Sequence, residues 1–182
     1  INPIVFDEHG KKMSKTKGNI IDPIDVIEAY GTDSLRLTLC AYAVQGRNIN
    51  ISLKRLEGYR NSINKVWNAA RFVRMNTSNL SAEAIARPIN RKELPLEGRW
   101  ILSAYSRMVE SVNAALKKYD FDVVVHTLYQ FVWHQYCDWY LELVKPRLYG
   151  QGLTATQEQS RCDAQRILVL ILEGLCRLLN PI

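Results

Sequence analysis

The stretch Phe121-Asp122-Val123-Val124-Val125-His126-Thr127-Leu128-Tyr129-Gln130-Phe131-Val132-Trp133-His134-Gln135-Tyr136-Cys137-Asp138-Trp139-Tyr140-Leu141-Glu142-Leu143-Val144-Lys145 decides the class of fold. Asp120 stands ahead of it as an N-cap, and Pro146 marks its stop, so the spacing predicts one helix over 121–145. Its apolar residues (Phe121, Val124, Val125, Leu128, Phe131, Val132, Trp133, Trp139, Leu143) do not keep to one stripe. A helix apolar on several sides belongs at the centre of a domain, covered all round by neighbours. The aromatic run therefore reads as core, not as a cofactor box.

The neighbours are visible on both sides of that stretch. Ile101, Tyr105, Met108, Val112 and Ala115 recur at helical steps and lead to an end near Lys117-Lys118. Downstream, Thr156 with Gln159 has capping-box spacing, and Ile167, Leu168, Ile171, Leu175 and Leu178 line a final helix. Upstream, Leu56, Tyr59, Ile63, Val66, Ala70 and Val73 make one apolar face from Lys54 onward. The expected fold is all-α, a bundle of about four long helices. Residues 76–95, polar and broken by Pro88 and Pro95, read as a loop, as does 149–152.

A small mixed segment precedes the bundle. Ile4-Val5-Phe6 is strand-like, and Asp7-Glu8-His9-Gly10 reads as a turn. Asp22 before Pro23 supplies a cap and a first-turn proline, with Gly31 as the stop, so 23–30 is a short helix. Thr32 is expected to cap a second helix reaching about Ala43, and Gln45-Gly46-Arg47-Asn48 breaks the pattern. The domain boundary is accordingly set between 1–45 and 46–182.

Composition narrows the classes. Of 182 residues, 47% are apolar and 23% charged, an ordinary globular balance, and no apolar run approaches a membrane span. The net charge of +6 is uneven: residues 1–80 hold 12 Lys/Arg against 7 Asp/Glu, and 81–182 hold 12 against 11. An acidic partner would be drawn to the first half. Cys40, Cys137, Cys162 and Cys176 have no metal-ligand spacing and read as buried thiols of a reducing compartment. His134 and Cys137 alone make a poor zinc pair, so no structural metal is expected. The apolar ends, Ile1 and Leu178-Leu179-Asn180-Pro181-Ile182, read as cuts through a longer polypeptide.

Chemistry is concentrated in Gly10-Lys11-Lys12-Met13-Ser14-Lys15-Thr16-Lys17-Gly18-Asn19. Four lysines in seven positions, small or polar neighbours, and a glycine that lets backbone approach a ligand suit phosphate oxygens whose charge shifts during a reaction. A charged loop hinged on compact elements suits closure over a nucleotide. Lysine-rich loops are more often simple solvated turns, and charge alone does not separate the two.

The order of residues does. The run from Gly10 through Asn19-Ile20-Ile21-Asp22-Pro23 resembles the second signature of the class I aminoacyl-tRNA synthetases, with Thr16 where that signature ordinarily ends in Ser. Tyr30-Gly31-Thr32-Asp33-Ser34-Leu35-Arg36, Gly46-Arg47-Asn48-Ile49-Asn50 and Glu57-Gly58-Tyr59-Arg60-Asn61 resemble segments of the valine-specific group. So does Asn64-Lys65-Val66-Trp67-Asn68-Ala69-Ala70-Arg71-Phe72. Trp139-Tyr140-Leu141-Glu142-Leu143-Val144-Lys145-Pro146-Arg147 is similar to a stretch shared by the valine, isoleucine and leucine groups.

The resemblance implies that 1–45 is the tail of a catalytic region and 46–182 an anticodon-binding bundle, truncated at its C-terminus. It implies ATP with Mg2+, valine and tRNA(Val) as partners of a cytoplasmic parent enzyme, with no membrane and no obligate protein partner. Lys15 would stabilise the transition state of adenylate formation, Lys12 would support it on the triphosphate, and Ser14 and Thr16 would shape the ATP loop. Met13 would dock the loop. The polar side of the helix from Lys54, with Arg60, Lys65 and Arg71, would meet RNA, and Phe72, which projects from that side, either stacks an unpaired base or is covered by another helix. The first signature, His-x-Gly-His, is not in this stretch, so by itself it is expected to form no adenylate. A sister enzyme for isoleucine, leucine or methionine, a non-catalytic RNA-binding module and a protein-interaction bundle are the other readings.

Overall fold

The computed structural model describes residues 4–44, 46–150 and 152–182. Gln45 and Gln151, which fall in the expected break at 45–48 and the expected loop at 149–152, lie outside the described residues. The order of elements is β1 (Val5–Phe6), a 3-10 turn (Lys15–Lys17), α1 (Pro23–Tyr30), α2 (Thr32–Tyr42), β2 (Ile49–Asn50), α3 (Leu53–Thr77), α4 (Ala82–Ala86), α5 (Leu96–Lys118) and α6 (Phe121–Gln130). There follow a π-helical stretch (Phe131–Tyr140), α7 (Leu141–Leu148) and α8 (Ala155–Leu179). The chain is thus an all-α bundle behind a short mixed segment. It divides into two compact units, residues 1–65 with 111–129 and 182, and residues 66–110 with 130–181.

In the first unit, β1 and β2 pair in parallel, Val5 opposite Ile49 and Phe6 opposite Asn50. Ile49 N–H donates to the Ile4 carbonyl and Ile51 N–H to the Phe6 carbonyl, both at 3.0 Å. The second strand is not apparent in the sequence: Ile49-Asn50 is too short to show alternation, and the partner strand supplies its bonds. Val26, Ile49, Ile51 and Leu56 are buried together, with Val5, Met13, Ile21, Tyr30, Leu35, Leu39 and Tyr42 packed against them. α1 has the expected bounds, and Asp22 accepts from Ile24 N–H at 2.8 Å. α2 differs: Thr32 is its first residue rather than its cap, and Gly31 holds the cap position at a φ of 87° without a side-chain bond. A left-handed φ favours glycine there. The apolar face of α3 is also rotated from the expected one, since Ser62 and Ala69 are buried with Leu56 and Val73, while Ile63, Val66 and Ala70 are half-exposed.

The second unit is built on aromatic and aliphatic packing. Phe131 and Tyr136 stack at 6.3 Å between centroids, Tyr136 and Tyr140 at 6.1 Å, and Tyr105 lies 5.9 Å from Phe131. Tyr136 is fully buried and donates its phenol to the Leu168 carbonyl at 3.2 Å, as a buried hydroxyl must. Ile167, Leu168, Ile171 and Leu175 give α8 the expected buried stripe. The cap of α8 is Thr154, not Thr156. Thr154 accepts from Gln157 N–H, and Gln157 Oε1 accepts from Thr154 N–H at 2.9 Å. Both pairs have the required spacing, and the earlier one starts the helix.

Four further expectations are corrected. Residues 76–95 hold a helix, α4, whose start Ser81 caps by accepting from Ala84 N–H at 3.2 Å. The helix after Asp120 does not stop before Pro146 but runs to Leu148. Pro146 lacks the N–H that would bond the Glu142 carbonyl one turn back, but both residues are exposed, so water can serve that carbonyl, and the helix runs only two residues further. Nor is the helix covered all round: Trp139 is 62% exposed, and Val123 and Leu143 are also open. The π stretch explains the misreading. Phe131 and Tyr136, then Val132 and Cys137, are buried at steps of five, and Leu141 N–H bonds the Tyr136 carbonyl, an i to i+5 pair. Widening the turn gathers the apolar side chains to one side and releases Trp139 to the surface. Of the cysteines only Cys137 is buried, and Cys176 is exposed.

Candidate functional site

The lysine loop leaves β1 and returns into α1, and two polar side chains shape it. Asp7 Oδ1 accepts from His9 N–H at 3.0 Å and from Lys11 N–H at 2.8 Å. Its other oxygen accepts from Asn19 Nδ2 at 2.8 Å, a bond that joins residues twelve apart. Asn19 also accepts from Ser14 N–H at 3.0 Å and donates to the Lys12 carbonyl at 3.4 Å. The amide of Asn19, then the Lys11 and His9 N–H groups, hold the Asp7 carboxyl below the usual carboxylate range. Sequence reading missed both residues, because a lone Asp in a turn and a lone Asn after a glycine carry no local signal of pairing.

At the tip, Lys15–Lys17 form a 3-10 turn that ends on Gly18, where a φ of 66° favours glycine. Lys12, Lys15 and Thr16 are exposed, and Ser14 is half-buried. Ser14 Oγ and Thr16 Oγ1 lie 3.2 Å apart, hydrogen-bonded to each other. Met13 packs against the cluster of Val26, Ile49, Ile51 and Leu56. Among the described residues, no side-chain hydrogen bond or ion pair engages the ammonium groups of Lys11, Lys12, Lys15 or Lys17. Four cations thus stand on a tied loop with their donors available to an anion.

The basic residues nominated on α3 differ in exposure. In the first unit Lys54 is exposed, whereas Arg60 and Lys65 are half-buried. Arg60 lies 5.7 Å above the Tyr30 ring and 3.6 Å from Glu57. It lines a hollow with Tyr30, Gly31, Asp33 and Asn64. In the second unit Arg71 is exposed but Phe72 is half-buried, so Phe72 is not the aromatic most open to solvent. The aromatic of α3 most open to solvent is Trp67, 67% exposed, followed at four, seven and eight residues by exposed Arg71, Arg74 and Met75. These positions share one helical face. Nothing in the sequence singles out Trp67, because an aromatic residue on a helix carries no local sign of its exposure. Among the described residues, no group of three or more His, Cys, Asp or Glu is placed to hold a metal ion, and no helix is long and apolar enough to cross a membrane.

Two families match this arrangement. Residues 1–52 fit the tRNA synthetases class I (I, L, M and V), and residues 98–182 fit the anticodon-binding domain of tRNA ligase. The whole chain is 43% identical over 182 residues to a valine–tRNA ligase of Desulfotalea psychrophila. The chain resembles the class I aminoacyl-tRNA synthetases. It is also 44% identical over 181 residues to a valine–tRNA ligase of Geobacter sulfurreducens and 41% identical over 187 residues to that of Aquifex aeolicus. The match takes in all of this chain and 20%, 20% and 16% of those three relatives, so the chain spans about a fifth of their length. The fold is shared with a Mycobacterium tuberculosis methionyl-tRNA synthetase in complex with methionyl-adenylate, at a TM-score of 0.71 and 20% identity over 97% of this chain and 35% of that one. It is shared too with an Agrobacterium radiobacter LeuRS in a ternary complex with tRNA and LeuAMS, at 0.72 and 21% identity, covering 99% and 20%.

Proposed function

We propose that the chain is the part of a valine–tRNA ligase that supplies the ATP-facing loop and the bundle that holds the anticodon end of tRNA(Val). Residues 1–45 form the tail of the catalytic region and 46–182 the anticodon-binding part. The observation that carries this reading is the end-to-end likeness to valine–tRNA ligases, joined to four unengaged ammonium groups on a tied loop. The parent, a cytoplasmic enzyme, joins valine to ATP, releases pyrophosphate and passes the aminoacyl group to tRNA. The valine and adenosine contacts come from the rest of that enzyme, and this stretch alone makes no adenylate.

In adenylation negative charge builds on the phosphates as pyrophosphate leaves. Lys15, at the start of the 3-10 turn, neutralises it in the transition state, and Lys12 steadies the triphosphate. Mg2+ carried in by the nucleotide would add to the neutralisation of that charge. Ser14 and Thr16 hold the shape of the turn through their mutual bond and offer hydroxyls to the nucleotide. On α3, Lys54, Arg60, Lys65 and Arg71 meet the RNA backbone, and Trp67 shares with Phe72 the stacking of unpaired bases. Lys15→Ala in the full-length enzyme tests the catalytic half. Valine-dependent pyrophosphate exchange is expected to fall by about 10²–10³ in kcat, with the KM for valine within a few-fold. A rate within a few-fold of wild type would refute the role.

A further inference from the structure

The lysines are open to solvent, yet the backbone that carries them is not loose. Beside the backbone bonds of the turn, the Phe6–Lys12 bridge and the packing of Met13, two side chains tie its distant parts together. Asp7 gathers His9 N–H and Lys11 N–H on one oxygen and Asn19 on the other. Asn19 then ties Ser14 N–H and the Lys12 carbonyl. Residues 7–14 and residue 19 are thereby joined as one piece, and only the turn Lys15–Gly18 lies outside it. Both ends of that turn are fixed by a single amide, that of Asn19. We infer that Asp7 and Asn19 are positioning residues for adenylation: a two-residue strap that aims Lys15 at the phosphates without touching the nucleotide. The inference rests on the proposed function above and deepens it.

The pair is chemically polarised in a way that permits a reciprocal test. Asn19 donates and the Asp7 carboxylate accepts, at 2.8 Å. Asp7→Asn sets amide against amide, and Asn19→Asp sets carboxylate against carboxylate. Exchanging the two residues in one protein, D7N/N19D, restores a donor facing an acceptor. It also keeps an acceptor for Lys11 N–H at position 7 and another for Ser14 N–H at position 19. The strap predicts that both single variants lose activity and that the exchange regains it. An effect of charge alone on the lysine field predicts opposite changes in the two singles, since one removes a negative charge and the other adds one.

The experiment is valine-dependent pyrophosphate exchange in the full-length enzyme, with wild type, Lys15→Ala, the two single variants and the double exchange. Each single is expected to lower kcat about tenfold or more, as loss of a charge-assisted bond does, with the KM for valine unchanged. The double is expected to recover to within about threefold of wild type. Trypsin cleavage between Lys11 and Lys17, followed on the same proteins, should quicken in the singles and return to the wild-type rate in the double. Singles within about twofold of wild type, opposite effects of the two singles, or a double no better than the worse single would each overturn the inference. If Lys15→Ala abolishes exchange while the strap variants do not, the strap fails and the catalytic reading stands. If wild type shows no valine-dependent exchange, both fail.

Discussion

Gln165 is the most exacting test of the packing in the second unit. It is 2% exposed, and its Nε2 donates to the Asn76 carbonyl at 2.6 Å and to Asn79 Oδ1 at 2.9 Å. Asn76 is in the last turn of α3, so its carbonyl has no donor within the helix, and Gln165 from α8 serves as its cap. Gln165→Leu keeps most of the volume and removes both donors. Asn79 is exposed and turns to water at little cost, whereas the Asn76 carbonyl loses its partner in a half-buried place. The expected cost is about 1–2 kcal/mol. Gln165→Glu is expected to cost more at pH 7, about 3 kcal/mol, because a buried carboxylate would face two acceptors. Burial and the two acceptors raise the carboxyl pKa in the fold above its unfolded value. The protonated acid, which can donate one bond, is then favoured by folding, so the penalty shrinks as pH falls toward 4. Urea unfolding of the chain, followed by tryptophan fluorescence and circular dichroism at pH 7 and pH 4, measures both. A Gln165→Leu protein within 0.5 kcal/mol of wild type (about the spread of a neutral surface change), or a Glu variant whose penalty ignores pH, would refute the argument.

Other expectations follow from the same coordinates. A Cβ on Gly174 would lie 1.7 Å from the Tyr105 hydroxyl oxygen and 2.8 Å from Cζ, so Gly174→Ala should destabilise by about 1–3 kcal/mol despite the better helix propensity of alanine. Pairing it with Tyr105→Ala should remove that overlap, and a thermal melt that moves upward in the single variant would contradict the packing. Burial, with Tyr42 beside it, pushes the Tyr59 phenol up to about 12. The fold prefers the neutral phenol, so this contribution is intact below pH 10 and is lost between pH 10 and 12. With Tyr59 half-exposed, solvent screening limits it to about 1 kcal/mol. Tyr59→Phe should flatten the alkaline fall in stability by that amount, and an identical pH profile would count against it. Trp67→Ala should weaken tRNA binding by about 1–3 kcal/mol, the worth of one base stacked on an aromatic ring, with little change in melting temperature. Unchanged tRNA affinity at several salt concentrations would remove Trp67 from the RNA surface.

Much of this was legible in the residues. Asp22-Pro23 and Gly31 delimit α1 because a cap, a first-turn proline and a left-handed glycine act locally. The α8 stripe of Ile167, Leu168, Ile171 and Leu175 shows because α-helical period and burial agree. The failures share a different cause. Between 131 and 140 the period itself changes, so a wheel drawn at 3.6 residues per turn puts Trp139 inside. Pro146 reads as a stop because its penalty depends on where in the helix it falls, which the residue cannot announce. The motif gave the lysines, whereas the Asp7–Asn19 pair depends on a closure across twelve residues that only three dimensions display. Trp67 went unremarked because an aromatic on a helix reads equally as core or as surface until its neighbours are known.

The wide turns of 131–140 also bear on how such a chain can change length over time. In an ordinary α-helix one added residue swings everything beyond it by about 100° and carries the greasy side out to water. Here a surplus is already absorbed inside the helix, before Leu141, Val144 and Leu148 resume their buried places. Losing a single amino acid from that span tightens a turn instead of tearing the far end from its seat. Descent can therefore add or subtract one position in the middle of a packed rod, where a surface loop would usually have to take up the difference.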